Sequence, residues 1–206
     1  MSNQNFYSFD SKLLSSTFQA YAIELDNVPG EGIADHHRLI LGEYEEIHFP
    51  VIFKHAKGKK LCDILDTGWV SLYLISDRMK SILTQSNLTG WKTFPITLLD
   101  EKDQKITGYS GFSVIGRCGE IDYSKCEIIK KQRSPTAPFR KFYKGLYVGI
   151  DKWDDSDFFL PKDYFGIIIS SKAANVLKKN KITNMKLSNL MDIETSEDIV
   201  AMKYRG

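Results

Sequence analysis

Residues 69–83 read WVSLYLISDRMKSIL, a pattern that predicts a strand followed at once by a helix. The first part is an almost uninterrupted apolar run of residue types that favour strands. The pair Ser76-Asp77 comes next, and both residue types commonly cap the start of a helix. Met79, Ile82 and Leu83 then recur at the spacing of one helical face. The stretch therefore indicates a buried strand and an amphipathic helix packed against it.

The same pattern returns 94 residues later without a gap. Residues 164–169 form a second apolar run that ends at Ser170-Ser171, and apolar residues follow at Ala173, Val176 and Leu177. Five of twenty aligned positions are identical between the two segments. We interpret the pair as an internal repeat of one strand-helix-strand unit.

These segments predict an α+β fold with a mixed, largely antiparallel sheet and two related strand-helix-strand units, at about residues 70–96 and 164–190. Each unit alone would expose an apolar strand edge and a helix stripe, so we expect both to pack on a shared sheet. An N-terminal strand-rich lobe is expected over residues 1–66, and the remaining residues 67–206 form the second predicted domain. Strands are also predicted at residues 21–25, 47–53, 91–99 and 109–115.

Composition excludes several classes of protein. The chain has 206 residues, 28 Lys and Arg against 26 Asp and Glu, and 12% aromatic residues, which is typical of a folded globular protein. The sequence shows neither an apolar run long enough for a membrane helix nor the basic start of a secretory signal. Three cysteines without a CxxC pair favour reduced thiols. We therefore expect a cytoplasmic protein with no membrane partner.

Several blocks resemble a known bacterial family. They are residues 74–83, 88–96, 116–125, 143–147, 153–157 and 179–185. Together they resemble the family numbered eleven among the immunity proteins of polymorphic toxin systems. The resemblance covers about residues 67–200, and the first 66 residues contain no block that resembles the family. The resemblance implies a non-enzymatic protein that binds and neutralises a cognate toxin, encoded by a neighbouring gene.

Two groups of residues are candidates for contact with such a partner. Residues 24–46 hold seven acids and one arginine, and charge of one sign influences the choice of partner and the rate of association. Trp153 lies among acidic residues in a predicted loop, and Trp residues commonly anchor protein interfaces. Its alternative role is to pack beneath its own loop while the acids cap a turn. The predicted partner-binding residues are Glu43, Glu45, Glu46, Trp153, Asp154, Asp155 and Asp157.

Catalytic, cofactor and metal sites are not predicted. The histidines, at positions 36, 37, 48 and 55, lack the spacing of metal ligands. Cys62, Cys118 and Cys126 have no sequence partner that would lower a thiol pKa, and a buried inert thiol is the more common case. The glycines near residue 111 fit neither a Walker nor a dinucleotide-binding motif. We therefore expect no enzyme activity, no metal and no cofactor. An enzyme is the third class of function, and a deep pocket lined by convergent polar side chains would favour it.

A nucleic-acid-binding protein is the alternative function. Residues 125–144 hold seven Lys and Arg residues against the single acid Glu127, with Phe139, Phe142 and Tyr143 among them. Basic residues with interleaved aromatics can follow a phosphate backbone and stack on bases. The net charge of +2 is far below that of typical nucleic-acid-binding domains, which makes nucleic acid the less favoured partner.

Overall fold

The computed structural model describes residues 6–23, 32–45, 47–132, 134, 136–162 and 164–196, with side chains of the first helix described from residue 36. These residues form sixteen strands and three α-helices. The elements are β1 (Phe6–Ser11), β2 (Gln19–Ala22), α1 (Gly32–Leu41), β3 (Val51–Lys57), β4 (Ile64–Asp66), β5 (Tyr73–Ser76), α2 (Asp77–Gln85), β6 (Trp91–Phe94), β7 (Ile96–Leu99), β8 (Lys105–Ile106), β9 (Tyr109–Val114), β10 (Gly116–Cys118), β11 (Glu127–Lys131), β12 (Arg140–Lys144), β13 (Phe158–Pro161), β14 (Ile167–Ser170), α3 (Ser171–Lys179), β15 (Met185–Asn189) and β16 (Glu194–Ser196).

Three sheets organise these strands. The eight-stranded sheet has the order β6-β9-β5-β4-β2-β3-β7-β8, the five-stranded sheet β10-β13-β14-β1-β15, and the small sheet β11-β12-β16. Most neighbouring pairs are antiparallel, and the parallel pairs between described strands are β2 with β4, β3 with β7, and β10 with β13. The predicted α+β class with a mixed, largely antiparallel sheet is confirmed. None of the described helices has both the length and the apolar character needed to cross a bilayer.

The two strand-helix-strand units occupy equivalent places in the two large sheets. In the first unit, β4 pairs with β5, and β9 lies between β5 and β6. In the second unit, β13 pairs with β14, and β1 lies between β14 and β15. Each helix therefore follows an inner strand of a four-stranded antiparallel group. In each group one strand, β4 or β13, directly precedes the unit, and another, β9 or β1, comes from elsewhere in the chain.

Strands from the first 66 residues belong to both large sheets. β1 joins the five-stranded sheet, whereas β2, β3 and β4 lie in the eight-stranded one. The predicted boundary at residue 66 falls between β4 and β5, which are adjacent antiparallel strands. The division into a domain of residues 67–206 and a lobe of residues 1–66 stays a prediction. The same segment also contains helix α1, which the sequence patterns did not predict.

Both unit helices begin where the sequence predicts. The hydroxyl of Ser76 accepts a hydrogen bond from the backbone N–H of Met79 at 3.1 Å, and the hydroxyl of Ser170 accepts one from Ala173 at 3.2 Å. Each cap satisfies one of the backbone donors that the first helical turn leaves unpaired. The local cap residues therefore fix the position at which each strand turns into a helix.

A buried aspartate precedes each unit and ties it to the other. Asp63 accepts hydrogen bonds from Ser76 at 2.8 Å, from Arg78 at 2.8 Å, and from the backbone and hydroxyl of Thr183 at 2.9 and 2.8 Å. Thr183 belongs to the second unit, so this carboxylate joins the end of one helix segment to the start of the other. Fully paired buried carboxylates of this kind rigidify a fold.

Asp157 forms the equivalent connection 94 residues later. It accepts hydrogen bonds from Ser170 at 2.7 Å and Lys172 at 2.9 Å, and from the backbone N–H of Thr89 at 3.1 Å. Thr89 belongs to the first unit. The two units are thus joined by a reciprocal pair of aspartate-threonine contacts.

Acidification is expected to weaken the Asp63 connection. Burial alone would raise the pKa of Asp63, but hydrogen bonds from Thr183, Ser76 and Arg78 together hold it below its usual value. A carboxyl whose pKa is lowered on folding stabilises the protein above its unfolded pKa of about 4, and this contribution is lost as the pH falls through the folded value.

We therefore expect the free energy of unfolding of the wild type to fall between about pH 5 and pH 3 more steeply than that of Asp63→Asn. Urea titrations at several pH values measure this difference. Asp151→Asn is a control for an exposed carboxylate. Equal acid dependence of wild type and Asp63→Asn would contradict the assignment.

Candidate partner-binding site

A cleft of about 1010 Å³ lies between β1, the loop from β4 to β5 and the loop from β13 to β14. The two loops occupy equivalent positions in the two units, and β1 passes between them. Ser8, Phe9 and Asp10 line the cleft from β1, and Asp66 and Tyr73 line it from the first unit. This volume is at the upper end of the range of about 300–1,000 Å³ that is usual for small-molecule sites.

The loop from β4 to β5 is held in an unusual backbone conformation. Gly68 and Ser71 both have positive φ values, +77° and +63°. Left-handed φ is uncommon for a non-glycine residue and is retained where surrounding contacts enforce it. The Ser71 hydroxyl donates a hydrogen bond to the backbone carbonyl of Phe165 in the opposite loop. This bond fixes the two loops to each other across one end of the cleft.

Helix α1 supports both loops from behind. The ring of His36 stacks on Trp69 with centroids 4.1 Å apart, and His37 lies against Phe165 at 4.5 Å. His37 also lines the cleft, and its buried Nε2 atom has no hydrogen-bond partner among the described residues. The adjacent histidines therefore pack separately, one on each loop, rather than converging.

The floor of the cleft carries two carboxylates. One oxygen of Asp10 accepts hydrogen bonds from the backbone N–H of Ser11 at 2.7 Å and the hydroxyl of Tyr73 at 2.6 Å. Asp66 accepts hydrogen bonds from the Ser11 hydroxyl at 3.0 Å and the Gly68 N–H at 2.8 Å. Burial and the charges of these two aspartates raise the pKa of Tyr73 above its usual value. Tyr73 therefore remains a hydrogen-bond donor.

Apolar side chains surround the opening. Leu13, Val70 and Phe165 line the cleft and are 59%, 70% and 55% exposed. They are three of nine large hydrophobic residues that are exposed in the described part of the chain. Single exposed apolar residues are ordinary, but a group around a concave site marks a binding surface. The cleft thus combines an apolar rim with a polar floor.

The structure brings two of the sequence-predicted partner-binding residues close to one arginine. Glu43 and Asp154 are both exposed, and both charges act on Arg117. Burial lowers the pKa of Arg117, and these carboxylates oppose that effect. The guanidinium donates hydrogen bonds to backbone carbonyls, including that of Leu41 at 3.0 Å. Lys162 lines both the large cleft and a smaller pocket of about 330 Å³ beside Arg117, so the two regions adjoin.

The remaining predicted residues have different environments. Trp153 packs edge-on against Phe6, with centroids 5.1 Å apart, and Asp157 is 5% exposed in the connection described above. Glu45 and Asp155 are exposed. Glu46 lies outside the described residues.

The basic segment 125–144 forms most of the small sheet. β11 pairs with β12 and β12 with β16, with β11 at the edge. Lys131 forms an ion pair with Glu194, and the Lys141 ammonium lies 4.8 Å from the centre of the Tyr143 ring. Arg133 lies outside the described residues. Nucleic-acid binding by this segment stays a prediction.

All three cysteines are buried and free. Burial, followed by the nearby charge of Asp154, raises the pKa of Cys118 to about 12. Burial also raises the pKa of Cys126. A nucleophilic cysteine needs the opposite shift, because the thiolate is the reactive form.

Sequence patterns did not identify the cleft residues as a group. Asp10, Asp66 and Phe165 are far apart in sequence, and Val70 was included in a predicted buried strand. The one available signal was the equivalence of the two units, since corresponding loops of paired units often lie close together.

Most of the chain matches the model of one protein family. A model of the immunity protein family Imm11 matches residues 13–192. No curated protein gives a match. The match includes residues 13–66 of the predicted N-terminal lobe and all the blocks that carry the resemblance. The chain therefore belongs to the Imm11 immunity protein family.

Proposed function

We propose that this protein neutralises a cognate toxin by stoichiometric protein-protein binding, without enzymatic activity. The toxin is made by the same cell or its kin and is encoded by a neighbouring gene, and the protein acts in the cytoplasm. Membership of an immunity family supports binding to a toxin. The raised thiol pKa values of Cys118 and Cys126 support a role without a cysteine nucleophile.

The observation that carries the proposal is the apolar rim of the cleft. Leu13, Val70 and Phe165 come from three separate segments and expose their side chains around one opening. Protein interfaces commonly depend on a small apolar centre that is surrounded by polar residues. The hydrogen bond between Ser71 and Phe165 holds this surface in place before a partner arrives. A preformed surface loses less conformational entropy on binding.

The acidic residues predicted from the sequence provide a second contact in this proposal. Glu43, Glu45, Glu46, Asp154 and Asp155 attract a basic partner surface, which would speed association and make it sensitive to salt. Trp153 and Asp157 hold the loop that presents Asp154 and Asp155. Trp153 does so by packing on Phe6, and Asp157 by its hydrogen bonds to the helix segments.

Co-expression with the product of the neighbouring toxin gene tests the proposal. Wild-type protein is expected to restore growth of cells that the toxin otherwise kills. The double variant Val70→Glu, Phe165→Glu is expected to bind the toxin at least about tenfold more weakly, because charges replace apolar contacts. Protection should then fail at matched expression.

Ile128→Glu is the matched control, because Ile128 is 57% exposed but lies in β11, outside the residues that line the cleft. This variant is expected to protect fully. Equal killing with and without wild-type protein would reject toxin neutralisation. If Ile128→Glu fails to protect while the double variant protects, the cleft is rejected as the contact surface.

A further inference from the structure

The carboxylates in the cleft have hydrogen bonds but no cation. Among the described residues, neither Asp10 nor Asp66 forms an ion pair. Asp66 is 7% exposed, so its charge is largely removed from water. Buried carboxylates elsewhere in this protein do have cations, Arg78 on Asp63 and Lys172 on Asp157, each within 2.9 Å. Asp10 and Asp66 therefore differ from the structural aspartates of the same chain.

Among the described residues, the nearby cations form no ion pair with these carboxylates, and this includes Lys186, which is exposed directly opposite Asp10 on β15. Lys162 forms an ion pair with Glu120 at 3.3 Å, and Lys57 is exposed at the end of β3. Negative charge that is surrounded by apolar walls has a stronger effect than the same charge in water. The floor is thus complementary to a positively charged group that enters from solvent.

One carboxylate oxygen remains available for such a group. Both hydrogen bonds to Asp10 end on the same oxygen, Oδ1, which leaves Oδ2 without a donor among the described residues. The unpartnered Nε2 of His37 is a second unused polar atom in the lining. Buried polar groups normally have a hydrogen-bond partner. The buried His37 atom therefore indicates a site that an occupant completes, and Asp10 Oδ2, which belongs to a partly buried residue, can accept a donor from that occupant.

We infer that the cleft receives a loop of the partner protein in which an arginine or lysine stands beside an apolar side chain. The cationic group pairs with Asp10 above the floor, and the apolar neighbour packs on Leu13, Val70 and Phe165. This inference rests on the proposed function for the nature of the partner. The volume of about 1010 Å³ is sufficient for several side chains of one loop.

Two synthetic peptides test the chemistry of the cleft. One is a capped pentapeptide with Phe-Arg-Leu at its centre, and the other has citrulline, an uncharged isostere, in place of arginine. Heteronuclear NMR titration of the full chain reports binding through backbone amides such as those of Ser11 and Gly68. We expect the arginine peptide to bind about tenfold more tightly than the citrulline peptide, because only the former forms a charge-assisted hydrogen bond.

Asp10→Asn is expected to abolish that preference. The amide oxygen of Asn can still accept the hydrogen bonds from Ser11 and Tyr73, so the fold should persist. Val70→Ser is expected to weaken the binding of both peptides by a similar factor, which separates the apolar contribution to affinity from the charged one. The difference in affinity between the two peptides is measured on wild-type protein, so this part of the test does not depend on a variant that folds.

Equal affinity of the two peptides for wild-type protein would overturn the inference. Binding of neither peptide, amide shifts confined to another surface, or a preference that Asp10→Asn leaves intact would also overturn it. The co-expression experiment distinguishes this failure from failure of the proposed function. If wild-type protein protects cells but shows no preference for the arginine peptide, only the inference about the cleft is wrong.

Discussion

Replacement of Phe158 by alanine is expected to lower the free energy of unfolding by about 3–5 kcal/mol. Phe158 is fully buried, and its ring lies edge-on to Phe9, with centroids 5.8 Å apart, and to Phe112 at 5.5 Å. Phe9 and Phe158 belong to the five-stranded sheet, and Phe112 to the eight-stranded one. Truncation would remove one of the rings that join the sheets and would leave a cavity between them.

Urea unfolding followed by circular dichroism measures this loss. Phe165→Ala is the matched control, since it removes the same ring from a 55% exposed position. Its expected effect is within about 0.5 kcal/mol. Comparable losses in the two variants would show that Phe158 does not join the sheets as described.

Asp157→Ala is expected to destabilise the protein by about 3 kcal/mol. The substitution removes the carboxylate that accepts from Ser170, Lys172 and the backbone N–H of Thr89, and among the described residues only Lys172 keeps another acceptor, the Asn87 carbonyl at 3.1 Å. Because Thr89 belongs to the other unit, the loss weakens both the cap region of α3 and the contact between units. Buried donors that lose their acceptor cost more than the net contribution of the hydrogen bond, whereas the Lys172 side chain is 56% exposed and can return to solvent.

Asp155→Ala tests whether the effect belongs to this position, because Asp155 is exposed in the same loop. Its free energy of unfolding should stay within about 0.5 kcal/mol of the wild type. Lys172→Met is expected to cost at most about 1 kcal/mol, because the Lys172 side chain is 56% exposed. A loss in Lys172→Met equal to that in Asp157→Ala would contradict the assignment of the larger effect to the buried carboxylate and its other donors.

The starts of the two unit helices could be predicted because their signals are local. Ser76 and Ser170 stand at caps, and the apolar positions that follow, such as Met79 and Leu83, repeat with helical spacing. Such signals depend on neighbours within a single turn. The family could be recognised for a related reason, since its blocks are short runs of capped helices and strands.

Strand limits were harder to predict, because partners distant in sequence decide them. The apolar run from residue 69 was predicted to be strand throughout, but β5 begins only at Tyr73. The left-handed Ser71 bends the chain before it, and its hydroxyl is held by Phe165. Likewise, residues 91–99 form two strands rather than one. β6 pairs with β9, whereas β7 pairs with β3 and β8.

The sequence patterns did not predict helix α1, because the most evident feature of residues 24–46 is their excess of acidic residues. Leu39 and Ile40 are adjacent, so their burial in the core does not produce a clear helical stripe. The candidate site depends on this helix, through the contacts of His36 and His37 with the two loops. Side chains that converge from α1, β1 and both units could not be recognised from their spacing along the sequence.

Titration of the purified toxin with this protein separates binding from catalysis. With both proteins at concentrations well above their dissociation constant, toxin activity should fall linearly and reach its minimum near one molecule of this protein per toxin. Inactivation of many toxin molecules by each molecule of this protein, or full toxin activity at a large excess, would contradict neutralisation by stoichiometric binding.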